Sequence, residues 1–143
     1  MNDVIVVGTD GSDTADVAVN RAAALAKLTG ARVELVSGYR HDYALVEGSG
    51  MWVGDLAEEA RKSATGCLDA AAARLRAEGI EVETHCRGGD PANALIEVAE
   101  ATGAGLIVVG SKGMRGGRRF LLGNVPNKVS HHAPCSVMIV RTV

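Results

Sequence analysis

Five short runs of branched aliphatic residues, separated by alanine- and leucine-rich stretches with helical spacing, constrain this chain more than any other feature. The runs are Asp3–Gly8, Val33–Val36, Ile80–Cys86, Leu106–Gly110 and Ser136–Val140. The first of them, Asp3–Gly8, reads as a strand buried on both faces. Between the first two, Ala18, Ala22, Leu25 and Ala26 share one face of a helix expected over 14–29, with Ser12 and Asp13 as N-caps and Gly30 as the stop. A second helix is expected from Asp55, where Asp55 and Glu58 have capping-box spacing, to Gly79. Its apolar stripe is Leu56, Ala60, Ala64, Cys67, Ala71 and Leu75. Asp90-Pro91 opens a third, facing inward through Leu95, Val98 and Ala99 and ending at Gly103. A short fourth spans about 124–132. Strands alternating with helices need right-handed crossovers. The expected fold is therefore α/β: one domain over 1–143, with an open, doubly wound sheet of five parallel strands and helices on both faces.

Composition narrows the function. The 143 residues carry a net charge of -2, one Trp, one Phe and two Tyr. There is neither a global basic field nor an aromatic platform for nucleic acid. No apolar run approaches the ~20 residues of a membrane span. Cys67, Cys86 and Cys135 are odd in number and form no CxxC, so they are expected to be buried structural thiols in a reducing compartment. The first strand begins almost at once, with no signal-peptide pattern ahead of it, and a cytoplasmic location is expected.

Two segments echo one another. Ile5-Val6-Val7-Gly8-Thr9-Asp10-Gly11 and Ile107-Val108-Val109-Gly110-Ser111-Lys112-Gly113 share the pattern IVVG[TS]xG. One reading is convergence, since any tight strand-to-helix turn favours glycine. The other is that both turns lie at the carboxyl edge, beside the point where strand order reverses. Open α/β sheets bind ligands there, and Gly8, Gly11, Gly110 and Gly113 would admit a ligand to the backbone.

The segment after the second of these strands is basic. It holds Lys112, Arg115, Arg118 and Arg119 with no acidic residue, among Gly110, Gly113, Gly116, Gly117 and Gly123. A solvated basic loop is the plain reading. Phosphate binding is the sharper one, because the free N–H groups and positive end of the following helix make an anion site.

This segment also carries a family resemblance. Gly110-x2-Gly113-x9-Gly123 resembles the GxxGx9G[S/T] nucleotide motif of the ATP-binding branch of the universal stress proteins. Gly123–Val129 and His132–Val137 are similar to that family's closing segment, and Val6–Ser12 to its first strand. The resemblance implies an adenine nucleotide alpha hydrolase-like fold and a site for ATP or another adenine nucleotide. By position, Asp10 would lie near the adenosine, flanked by Gly8 and Thr9, and the Gly38 backbone would meet the adenine. Val109 would line the base pocket. Gly110, Gly113 and Gly123 would reach ribose and phosphates through their N–H groups. Asn124 and Val125 would complete the cradle, while from its charge alone Arg115, like Lys112, Arg118 and Arg119, is a candidate for steering phosphate. Two departures stand out. Asn124 replaces the motif's Ser or Thr, and Pro126 removes a hydroxyl and an N–H from the anion nest. Both bear on triphosphate affinity more than on the base, so AMP and cyclic AMP stay open.

Other chemistries find little support. A GxGxxG fingerprint after the first strand and a Walker A sequence are absent. A receiver domain would need more carboxylates at the sheet's carboxyl edge than Asp10 and Asp13. His131 and His132 point about 100° apart on a helix, and His85 and Cys86 alternate across a strand, so neither pair ligates one metal. No catalytic constellation is readable, and only incidental ATP hydrolysis with Mg2+ is expected. The chain reads as a regulatory nucleotide-binding module. The alternative is a dimeric interaction module that has lost the ligand. In either case Ser136–Val140, apolar and without proline, is expected at a sheet edge that pairs with a second copy.

Overall fold

Val4, Ile5, Val6 and Val7 are all buried, as residues of a strand covered on both faces must be. The computed structural model describes residues 3–39, 53–111 and 124–142. In chain order it contains β1 (Val4–Gly8), α1 (Asp13–Thr29), β2 (Arg32–Tyr39), α2 (Val53–Ala77), β3 (Val82–Gly88), α3 (Pro91–Thr102), β4 (Leu106–Gly110), α4 (Asn124–His132) and β5 (Ser136–Val140). The five strands form one sheet in the order β3-β2-β1-β4-β5, and every neighbouring pair is parallel. The order reverses between β1 and β4, so the two echoing runs are neighbours at the switch point.

Strand alternation divides the core into two layers. Ile5, Val7, Val33, Leu35, Val108 and Val140 pack beneath α1 and α2, against side chains such as Val19, Ala22, Leu68 and Leu75. Val4, Val6, Val36, Ile107 and Val109 pack on the other face, against Leu95, Val98, Ala99 and Val129 of α3 and α4. The small alanines of α1 and α3 let those helices lie close to the sheet. With one Trp, one Phe and two Tyr in the chain, branched aliphatics supply almost all the packing volume.

One buried charge interrupts the α3 face. Glu34 is 3% exposed and accepts hydrogen bonds from Arg32 Nε at 3.0 Å, and its other oxygen lies 2.8 Å from His85 Nε2 on the next strand. Burying a carboxylate is costly unless it is paired, and here both oxygens have partners. Cys86, on the opposite face of β3, directs its thiol to the Arg61 carbonyl, so His85 and Cys86 do point apart. The three thiols are free and half-buried, less enclosed than their sequence context predicts. Among the described residues no helix is long and apolar enough to cross a membrane.

Several boundaries differ from the sequence reading, three of them for a reason that the bonding shows. β2 continues to Tyr39 because Gly38 and Tyr39 pair with Arg87 and Gly88 of β3. β3 starts at Val82, since Ile80 belongs to the end of α2: its N–H donates to Leu75 O while Gly79 N–H donates to Arg76 O. With Gly79 at φ +84°, this is a Schellman stop. Finally, α2 begins at Val53, which places Asp55 inside the helix and not at its cap.

Candidate functional site

The strands part at the switch point. The β1–β4 ladder ends at Val7↔Val108. Beyond it, Thr9 N–H donates to Val36 O of β2 at 2.9 Å, while Ser111 N–H donates to Val140 O of β5 at 2.8 Å. The chain leaving β1 thus stays bonded to one side of the sheet and the chain leaving β4 to the other, the parting at which open α/β sheets form their crevice. The two connections then take opposite faces: β1 leads to α1, and β4 leads towards α4.

The β1 side of the crevice is a tightly bonded turn. Thr9 is buried and its hydroxyl accepts from Gly11 N–H at 3.1 Å. Asp10 is exposed, and its Oδ1 accepts from Ser12 N–H at 2.9 Å. Ser12 in turn caps α1, its hydroxyl accepting from Ala15 N–H at 3.2 Å. The Asp10 carboxylate is therefore held in place at the rim, with the start of α1 behind it.

Gly8 and Gly38 lie at the ends of β1 and β2, and both are packed by α3. A Cβ on Gly8 would lie 3.3 Å from the Leu95 side chain, and one on Gly38 would lie 2.9 Å from the Pro91 Cα. At these positions the missing side chain first of all admits α3. Val109 is buried in the layer under α3 and α4, and Gly110 closes β4. Ser111 is fastened on from the far end of the chain: Thr142 N–H donates to its hydroxyl at 3.1 Å.

On the other side, Asn124 and Val125 form the first turn of α4. Asn124 is exposed and Val125 packs half-buried against the α3-side layer. The N–H groups of a first helical turn have no intrahelical partner. Asn124, Val125 and Asn127 carry such groups, and the buried Pro126 carries none. Gly113, Arg115 and Gly123, with Lys112, Gly116, Gly117, Arg118 and Arg119, fall outside the described residues.

The structure adds a pair that the sequence did not single out. Lys128 Nζ of α4 lies 2.6 Å from Asp90 Oδ2, while Asp90 Oδ1 caps α3 by accepting from Ala92 N–H. Asp90 was readable as a cap. Its second partner lies 38 residues away, and the only sequence hint was that Lys128 stands four residues, about one turn, beyond Asn124. Among the described residues, no group of three or more His, Cys, Asp or Glu gathers that could hold a metal ion.

Among the described residues, the first turn of α4 offers backbone N–H donors and the β1 turn offers the fixed Asp10 carboxylate as an acceptor. That combination suits an anionic ligand with hydroxyl or amino groups. The chain is similar to several known proteins. The family model described as "Universal stress protein family" matches residues 1–141. Universal stress protein YxiE of Bacillus subtilis is 32% identical over 96% of this chain and 97% of its own length. A universal stress protein solved in complex with cAMP is 31% identical, with a TM-score of 0.71 over 98% of this chain and 97% of that one. The universal stress protein of Archaeoglobus fulgidus solved in complex with dAMP is 28% identical, with a TM-score of 0.67 over 94% of each chain.

Proposed function

The chain belongs to the universal stress protein family and has its adenine nucleotide alpha hydrolase-like fold, and from that premise we propose that it binds an adenine nucleotide as a regulatory module of the cytoplasm, not as a catalyst. The observation that carries this reading is the parting of β1 and β4, which opens a crevice at the carboxyl edge of a doubly wound sheet. In this reading Asp10 accepts from the adenosine, and the first turn of α4 receives the phosphate. Relatives solved with cAMP and dAMP support an adenine ligand. Mg2+ would enter only with ATP, carried by the phosphates.

The residues of α4 bear on the number of phosphates. Asn124 stands where the nucleotide motif has Ser or Thr, and Pro126 removes one donor from the first turn. One phosphate needs fewer donors than three. The expected order of affinity is therefore AMP or cyclic AMP above ATP.

A second reading is that the chain is a dimeric interaction module without a nucleotide. It is favoured by Gly8 and Gly38, whose missing side chains are accounted for by α3 packing alone. Calorimetric titration of the purified protein with ATP, AMP and cyclic AMP separates the two. Saturable heat with at least one of them is expected. No binding up to millimolar ligand would remove the nucleotide reading and leave the second.

A further inference from the structure

We propose that Ser111 is a positioning residue for the ligand, acting by tying the exit of β4 to the chain that leaves β5. The inference rests on the nucleotide reading above. It starts from the hydroxyl position of the repeated IVVG[TS]xG pattern, which is Thr9 in the first copy and Ser111 in the second. Each directly follows the glycine that ends its strand, and the two stand on opposite sides of the parting. The first hydroxyl is used within its own turn, where it accepts from Gly11 N–H at 3.1 Å. The second reaches across the chain. Ser111 Oγ accepts from Thr142 N–H at 3.1 Å and lies 3.3 Å from the Thr142 hydroxyl, 31 residues away.

Ser111 N–H also donates to Val140 O at 2.8 Å. Main chain and side chain of Ser111 thus both bond to the end of β5 and its continuation, and they carry the attachment past the last ladder pair, Gly110↔Val140. The two walls of the parting therefore differ in their support. The β1 wall is braced by its own turn, whereas the β4 wall is held away from β1 by Val140 and Thr142. Gly110 immediately precedes the tied residue, so freedom at Ser111 becomes freedom of the backbone that the nucleotide would meet. Ser111 and Thr142 are both half-buried, so water can replace the tie when it is cut. Cutting it should lower the fraction of molecules with the binding arrangement, and apparent affinity falls with that fraction.

Ser111→Ala removes the acceptor, and Thr142→Pro removes the donor because proline has no N–H. Each is expected to weaken AMP about two- to tenfold in calorimetry, the scale of one hydrogen bond. The double variant should bind no more weakly than either single one, since both break the same bond. Ser111→Thr keeps the hydroxyl and should bind AMP as the parent does. Hydrogen exchange reads the tie directly: AMP should slow exchange of the Thr142 amide in the parent but not in Ser111→Ala. Melting curves establish that each variant is folded. A loss in Ser111→Ala without one in Thr142→Pro would make Ser111 a direct ligand contact and overturn the proposal. Additive losses in the double variant would overturn it too, as would a Thr142 amide indifferent to AMP. A Ser111→Ala protein that melts lower yet binds AMP as the parent does would reduce the tie to a purely structural bond, with the same consequence. If the parent binds none of AMP, cyclic AMP and ATP, the nucleotide reading falls and takes this inference with it.

Discussion

Gly11 sits in the turn between β1 and α1 with φ +82°, and a Cβ built on it would lie 2.5 Å from Cys67 Sγ of α2. Two costs therefore meet at one residue. A left-handed backbone costs an L-residue about 1–2 kcal/mol, and a methyl group in that position collides with a packed thiol. Gly11→Ala is expected to destabilise the protein by about 2–3 kcal/mol in denaturant unfolding. Adding Cys67→Ala should relieve the collision but not the backbone strain, so about half the loss should return. A Gly11→Ala variant within about 0.5 kcal/mol of the parent, the usual range of a neutral surface change, would contradict this geometry. The same residues show what is legible at this scale. A glycine after a strand marks a turn, and Gly8, Gly11 and Gly38 were recognisable as places where a side chain is unwelcome. What excludes the side chain was not legible. Leu95, Cys67 and Pro91 reach those glycines from helices far along the chain, and one sequence does not record such contacts.

Helix ends separate the readable signals from the unreadable ones at the level of elements. Ser12 and Asp90 were identifiable as N-caps because a short polar side chain precedes an apolar period, and both side chains do accept from the first turn of their helices. Ser12→Ala is expected to cost about 1 kcal/mol, measured as a lower denaturant midpoint with unchanged slope. The parent and Ser12→Thr should agree within a few tenths, and a Ser12→Ala midpoint equal to the parent's would show that the cap carries no stability. α2 is the contrary case. Asp55 and Glu58 have capping-box spacing, yet the helix starts at Val53. Both oxygens of Glu58 are taken by Arg61, at 2.6 and 3.1 Å, and this hydrogen-bonded guanidinium holds the Glu58 carboxyl below its ordinary range. A glutamate has one side chain to spend, and an arginine three residues on is a better partner than a backbone N–H. β3 slipped for a related reason. Ile80 is as apolar as a strand residue, but its N–H closes the Schellman turn of α2. A helix stop and a strand start draw on the same residues, and hydrophobicity alone does not divide them.

The whole molecule leaves two sheet edges, β3 and β5, and they differ in chemistry. β3 carries Glu83 and Arg87, exposed charges of the kind that guard an edge against pairing. β5 carries Ser136, Val137, Met138, Ile139 and Val140 and has no such guard. Its position at an edge was readable from its place as the last parallel strand; the arrangement of its side chains was not. Met138 packs inward against the layer under α1, and Val137 against the layer under α4. Ile139 is the apolar side chain left outward, 36% exposed. We propose that β5 pairs antiparallel with β5 of a second copy about a two-fold axis, which satisfies both edges and closes the assembly. The side-chain pattern selects the test. Met138→Lys would damage the core and is uninformative, whereas Ile139→Asp places a charge on the outer surface of the edge strand. Ile139→Asp is expected to be folded, with a melting temperature close to the parent's, and monomeric by light scattering at concentrations where the parent is a dimer. If the parent itself remains monomeric at ~100 μM, where an interface of ordinary size would be occupied, the pairing does not occur. In that case β5 must be protected by its short length and by the polar ends supplied by Ser136 and Arg141.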